Sequence, residues 1–162
     1  MTTSAATLQT EHTPTLSPHP AERNDDIQVE EGSLGKLIMA RLKPNQDLTE
    51  SVEALCRQHG MQYAIVRGAI GSLIDAHLEY ATTGGWREME INGPGVEILN
   101  VFGEVGFDGR HQVHPLQGVV ADVEGKIFAG RFVRGSNLSF ITIEITLQEW
   151  IPRLPRSRPL HA

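Results

Sequence analysis

Two arginines carry the most pointed chemistry in this chain. Arg131 lies in the run A-G-R-F-V-R-G, inside a stretch from Val113 to Glu144. Apolar residues there alternate with small or polar ones on both sides of Glu124-Gly125, the pattern of a strand, a tight turn and a second strand. The fork of donors on a guanidinium suits a clamp for carboxylate or phosphate. The plainer reading of Arg131 is an ion pair to Glu97, Glu104 or Glu144 of a neighbouring subunit. Arg67 breaks the apolar run A-I-V-R-G-A-I-G. A strand so apolar is expected to be buried on both faces, so a charge within it needs a partner. A structural carboxylate would serve; joint hold on an anionic ligand with Arg131 is the sharper reading. Arg134, three residues beyond Arg131, falls on the opposite face of a strand and reads as a solvated turn residue.

Around the same hairpin stand Gln117, His111 and His114. Imidazole titrates near neutrality, so either histidine could relay a proton or ligate a metal. Their i, i+3 spacing splits them across the faces of a strand, and a histidine at a strand mouth is more often a plain polar surface group. A metal held by this pair with His77 is the weaker alternative, since three histidines without defined geometry say little. Glu97, Glu104 and Glu144 sit among Val, Ile, Leu and Phe. Buried, each would need a partner or a raised pKa, and one beside a cleft could act as a general base. His114, Glu97 and Glu144 are therefore the candidate catalytic groups. Ser72 and Ser136 have no adjacent His-Asp constellation, so no hydrolase triad is expected. Cys56 follows Leu55 on a predicted helix and reads as a small buried hydrophobe.

The elements that must position these groups follow from pattern. The chain has 162 residues, 40% hydrophobic and 21% charged, enough for one domain with one core. No apolar run approaches the length of a membrane span. The first residues lack the features of a secretory signal, and a single cysteine fits a reducing, cytoplasmic setting. A net charge of −6 argues against a nucleic-acid partner. Residues 1–33 read as a disordered acidic tail rich in Pro and Thr, 34–150 as the folded domain, and 151–162 as a Pro/Arg-rich tail. Lys36 to Leu42 predicts a first strand. Asp47 then reads as an N-cap with Glu50 as its capping-box partner, and Gly60 as the C-cap of a helix over 48–59. Leu48, Val52, Leu55 and His59 fall at helical spacing along it. Strands are expected at 63–70, 72–80, 86–91 and 96–105, in the hairpin 116–133, and at 140–149. Without alternating helices the class is α+β: a curved, mostly antiparallel sheet of about seven strands carrying one main helix.

This order of elements resembles the plants and prokaryotes conserved (PPC) domain family, over about residues 35–149. The matching pieces are R-L-K-P-N-Q-D-L-T-E-S-V-E-A-L-C-R-Q-H-G, A-I-V-R-G-A-I-G-S-L-I-D-A-H-L-E-Y, G-P-G-V-E-I-L-N-V-F-G-E-V and D-V-E-G-K-I-F-A-G-R-F-V-R-G. The resemblance implies a homotrimer packed about a threefold axis. In plants such domains accompany AT-hooks in nuclear proteins; in bacteria they usually stand alone. Many prokaryotic relatives carry His-x-His before the turn and Gly-Gly-His-Leu after it, three imidazoles suited to a divalent metal. Those places fall on Pro115, Gln117 and Arg131 here. Proline offers no side-chain ligand and a guanidinium repels a cation. The expectation is therefore a lost metal site, no cofactor, and a pocket turned toward anions.

Three functions follow as expectations. The first is a stand-alone trimeric module, binding or regulatory, that holds a small anionic metabolite between subunits through Arg131, Arg67, Gln117, His111 and His114. The second is an enzyme acting on a small carboxylate in the same cleft. The third is DNA binding, as in the plant relatives. The C-terminal P-R-S-R-P resembles an AT-hook core, but Ser157 replaces the central glycine where the backbone must approach the groove closely. A tail that docks on the trimer surface is the better reading.

Overall fold

The computed structural model describes residues 29–106 and 114–153. The elements run β1 (Gly32–Leu42), α1 (Leu48–His59), β2 (Tyr63–Leu73), β3 (Ala76–Thr82), β4 (Gly85–Ile91), β5 (Val96–Gly106), β6 (Gln117–Ala121), β7 (Ile127–Phe132) and β8 (Ser139–Pro152). All eight strands join one sheet in the order β1-β8-β2-β5-β6-β7-β3-β4, and every pairing is antiparallel. The α+β class stands, with eight strands where about seven were expected. Gly32 pairs with Pro152, so the sheet reaches slightly past the expected limits of 34 and 150. Arg153 also pairs with Glu31 at 2.7 Å, and residues 1–28 and 154–162 of the predicted tails lie outside the described residues.

Local chemistry explains the helix. Asp47 is extended, and its carboxylate accepts the Glu50 backbone N–H at 2.9 Å. Gly60 ends the helix with φ of 65°, a left-handed value that glycine adopts without strain. Leu48, Val52 and Cys56 are buried, while His59 is exposed rather than part of the apolar stripe. Only half of the expected capping box forms: the Glu50 carboxylate turns to Arg134 instead.

The sheet supplies the rest of the core from one face. Ala64, Val66 and Ala69 of β2 are buried against Ile98, Val101, Val105, Ile143, Ile145 and Leu147. Arg67 and Ile70 point the other way and are exposed. The expectation that this strand is buried on both faces is thus corrected: within one chain it is covered on one face only. The predicted break at Gly71 is also corrected. β2 runs on to Leu73 and the chain turns at Ile74-Asp75, where the Asp75 carboxylate accepts the Gly93 N–H at 2.8 Å. Between Val66 and Gly68 the register against β8 slips, making Arg67 the extra residue of a bulge. A second slip in β5 leaves Leu99 as the extra residue against β6.

Candidate functional site

The β6–β7 hairpin sets the geometry. Asp122 accepts the backbone N–H groups of Glu124 at 2.9 Å and Lys126 at 2.8 Å, and Gly125 takes a φ of 81°. This closed turn fixes a register in which Gln117 faces Arg131. The pairing continues on both sides: Phe102 of β5 opposes Gln117, and Glu79 of β3 opposes Arg131. Glu88 of β4 opposes Glu79 in turn. Directly opposed residues share a face, so Phe102, Gln117, Arg131, Glu79 and Glu88 form one row across five strands. The neighbouring Gly118 keeps those strands close; a side chain there would strike the Asn100 carbonyl and the Phe132 ring.

Arg131 is half-buried, and its guanidinium carbon lies 3.8 Å from the centroid of the Trp86 ring. That is a cation–π contact. An indole has no acceptor lone pair, so it satisfies none of the five N–H donors. Arg131 has no hydrogen bond or ion pair with any described residue. Trp86, 51% exposed, went unnoticed in the sequence because its strand offers no motif.

The other expected residues disperse. Arg67 projects from β2, three strand spacings from β7, so about 14 Å separates it from Arg131 along the sheet. With Val66 opposite Gly103, Arg67 falls beside Phe102, on the same exposed face as that row. His114 is exposed just before β6, and His111 lies outside the described residues. Glu97, Glu104 and Glu144 are all exposed within one chain, so none is a carboxylate buried in the core of the single subunit. Glu144 is also occupied: Arg41, its cross-strand partner, donates to it from Nε at 3.0 Å. Cys56 is buried, which pushes its thiol up to about 11 and leaves no thiolate for chemistry near neutrality. Among the described residues no group of three His, Cys, Asp or Glu could hold a metal ion. Gln117 and Arg131, an amide and a cation, do not make a divalent-cation site either.

Arg134 requires the clearest correction. Far from being simply solvated, it donates from Nε and Nη2 to the two carboxylate oxygens of Glu53, both at 3.0 Å, and pairs through Nη1 with Glu50 at 2.9 Å. Glu53 is 5% exposed. The Arg134 hydrogen bonds hold its carboxyl below the ordinary range, against the upward push of burial. Asn137, three residues on, is fully buried. Its side chain accepts the His77 N–H at 2.9 Å and donates to the carbonyls of Val133 at 2.7 Å and His77 at 3.1 Å. Its own N–H donates to Asp47 at 2.9 Å. The helix start, the post-β7 loop and β3 are thereby tied together. Helical spacing of Glu50 and Glu53 was the one sequence signal for this cluster.

Comparison with known proteins agrees with this architecture. The structure is similar to a plant- and prokaryote-conserved (PPC) protein from Pyrococcus horikoshii, with a TM-score of 0.71, 21% identity, and coverage of 83% of this chain and 92% of that one. It is also similar to a metal-containing protein from Archaeoglobus fulgidus, with a TM-score of 0.68, 20% identity, and coverage of 83% and 94%. In sequence it is 36% identical over 118 residues to part of the Bifunctional protein GlmU of a Synechococcus strain. That match takes in 73% of this chain but 17% of the curated relative, so the chain spans only a small part of that protein's length. Residues 29–151 match the model of the Plants and Prokaryotes Conserved (PCC) domain. By that match the chain belongs to the PCC domain family, the PPC family of the sequence resemblance.

Proposed function

We propose that this chain is a homotrimeric binding or regulatory module that holds a small anion at Arg131. The observation that carries this reading is Arg131 itself. It is half-buried, held over Trp86, beside an amide on Gln117, and lacks an acceptor oxygen among the described residues. A guanidinium so placed is oriented before its guest arrives, which lowers the ordering cost of binding. Self-association is supported by the face turned away from the core, where Leu37, Met39, Ile70 and Leu99 are exposed. Apolar side chains grouped on one sheet face mark a surface that another protein covers. Arg67 has no ion pair among the described residues, and a second copy offers it acids, since Glu97 and Glu104 are exposed on the same sheet. The match to a fraction of a much longer relative suits a transferable module.

Native mass spectrometry of the full chain, followed by calorimetric titration with acetate and inorganic phosphate, tests both parts. The expected result is three subunits and anion binding that Arg131→Ala weakens at least about tenfold. A monomer, or binding indifferent to Arg131, would overturn the corresponding part. The enzyme and DNA readings are weaker. The candidate proton carriers Glu97, Glu144 and His114 are exposed, and Glu144 is held by Arg41. The acidic body opposes a polyanion.

A further inference from the structure

The geometry points to a ligand class for the Arg131 site: an aromatic monocarboxylate rather than a phosphate. This inference rests on the anion-binding reading above and narrows it. From β7 to β5 the row presents a guanidinium on Arg131, an amide on Gln117 and the ring of Phe102, which is 47% exposed. Two strand spacings separate its ends, so the three groups span about 10 Å. That length fits a compact acid with its carboxylate on Arg131 and a flat body over Phe102. Gln117, between them, can donate to or accept from a ring substituent.

Charge decides against a dianion. Glu79 stands directly opposite Arg131 on β3, with Glu88 behind it, and Glu79 forms no ion pair with Arg131. Attraction and repulsion both scale with the guest's charge, while the cost of stripping water from it rises with the square, so one guanidinium facing a fixed carboxylate suits a monoanion better than a dianion. Phosphate sites characteristically gather several backbone N–H donors at a helix start or a nest. This row lies in mid-sheet, where backbone donors belong to the strand ladder. The exposed rings of Trp86 and Phe102 instead favour a guest with an apolar face.

The test uses the full-length protein, titrated calorimetrically with 4-hydroxycinnamate, benzoate, acetate and inorganic phosphate while Trp fluorescence is recorded. Hydroxycinnamate should bind at least about tenfold tighter than acetate, and phosphate should bind no tighter than acetate. Its binding should also change the Trp emission. Phe102→Leu, which keeps apolar bulk, should erase most of the preference for hydroxycinnamate while leaving acetate binding intact. Glu79→Gln should tighten every anion. Tighter binding of phosphate than of hydroxycinnamate, lost in Arg131→Ala, would overturn the ligand class and leave the anion site standing. Failure of all four probes to bind at Arg131 would overturn the anion reading beneath it. Should Arg131→Ala not fold, the Phe102→Leu and Glu79→Gln responses still decide the matter.

Discussion

Arg131 and Arg134 are three residues apart and live in opposite circumstances. Arg134 meets three carboxylate oxygens of Glu53 and Glu50, beside a loop whose buried Asn137 uses its side-chain donors and acceptor fully. Arg131 meets an indole and no oxygen among the described residues. The difference teaches how to separate groups that hold a fold from groups left for a partner. In the loop, polar atoms find each other within the chain. On the outer face of the sheet, a cation and several apolar side chains do not.

The sharpest way to break this comparison is to damage the loop. Asn137→Ala would strand the His77 N–H and take one of two donors from each of the His77 and Val133 carbonyls, while its backbone N–H keeps Asp47, and should cost about 3 kcal/mol in a urea titration. A loss below about 1 kcal/mol would mean that the loop is not the fastener described here.

Next in size is the outer face. Ile70→Asp should weaken self-association about 100-fold, seen by light scattering, with little change in the unfolding midpoint of the dissociated subunit. An unchanged subunit number would show that this face is not the one covered.

Arg134→Met should cost about 2 kcal/mol at neutral pH, discounted for the half-exposed guanidinium. The pH sign is definite. Glu53 titrates lower in the folded chain than its ordinary value of 4.5, so its pairing stabilises fully above that value. The contribution fades as pH falls through the folded pKa. Denaturation at pH 7 and pH 3 should therefore show a steeper acid loss for the natural chain than for Arg134→Met; parallel losses would contradict the pairing.

The smallest effect belongs to Arg131→Met. It should change stability by only about 0.5 kcal/mol, because a cation–π contact near the surface contributes little. A cost equal to that of Arg134→Met would erase the contrast on which the site rests.

The sequence made the local parts of this fold legible. Asp47, Glu50 and Gly60 bracket the helix because capping chemistry acts within a few residues. The turn at Glu124-Gly125 placed Gln117 opposite Arg131 because a hairpin's register follows from its closure. Long-range relations were not legible. Nothing near Arg134 in the chain announces Glu53, 81 residues away, and nothing near Arg131 announces Trp86. Buried carboxylates were expected in the sheet because apolar neighbours suggested two covered faces. Alternation instead left Glu97, Glu104 and Glu144 on the open one. The bulge at Arg67 hid that alternation by shifting its phase midway along β2.

The strand order has a consequence for how the chain is made. Among the described residues β8 is the only strand that pairs with β1, and it lies between β1 and β2. Arg41 must wait for Glu144, translated 103 residues later. A nascent chain emerging from the ribosome therefore carries its first strand unattached, and β2 as a bare edge, until the final strand emerges. Closure of the sheet is a late event of synthesis, and pairings this distant in sequence slow the folding step itself.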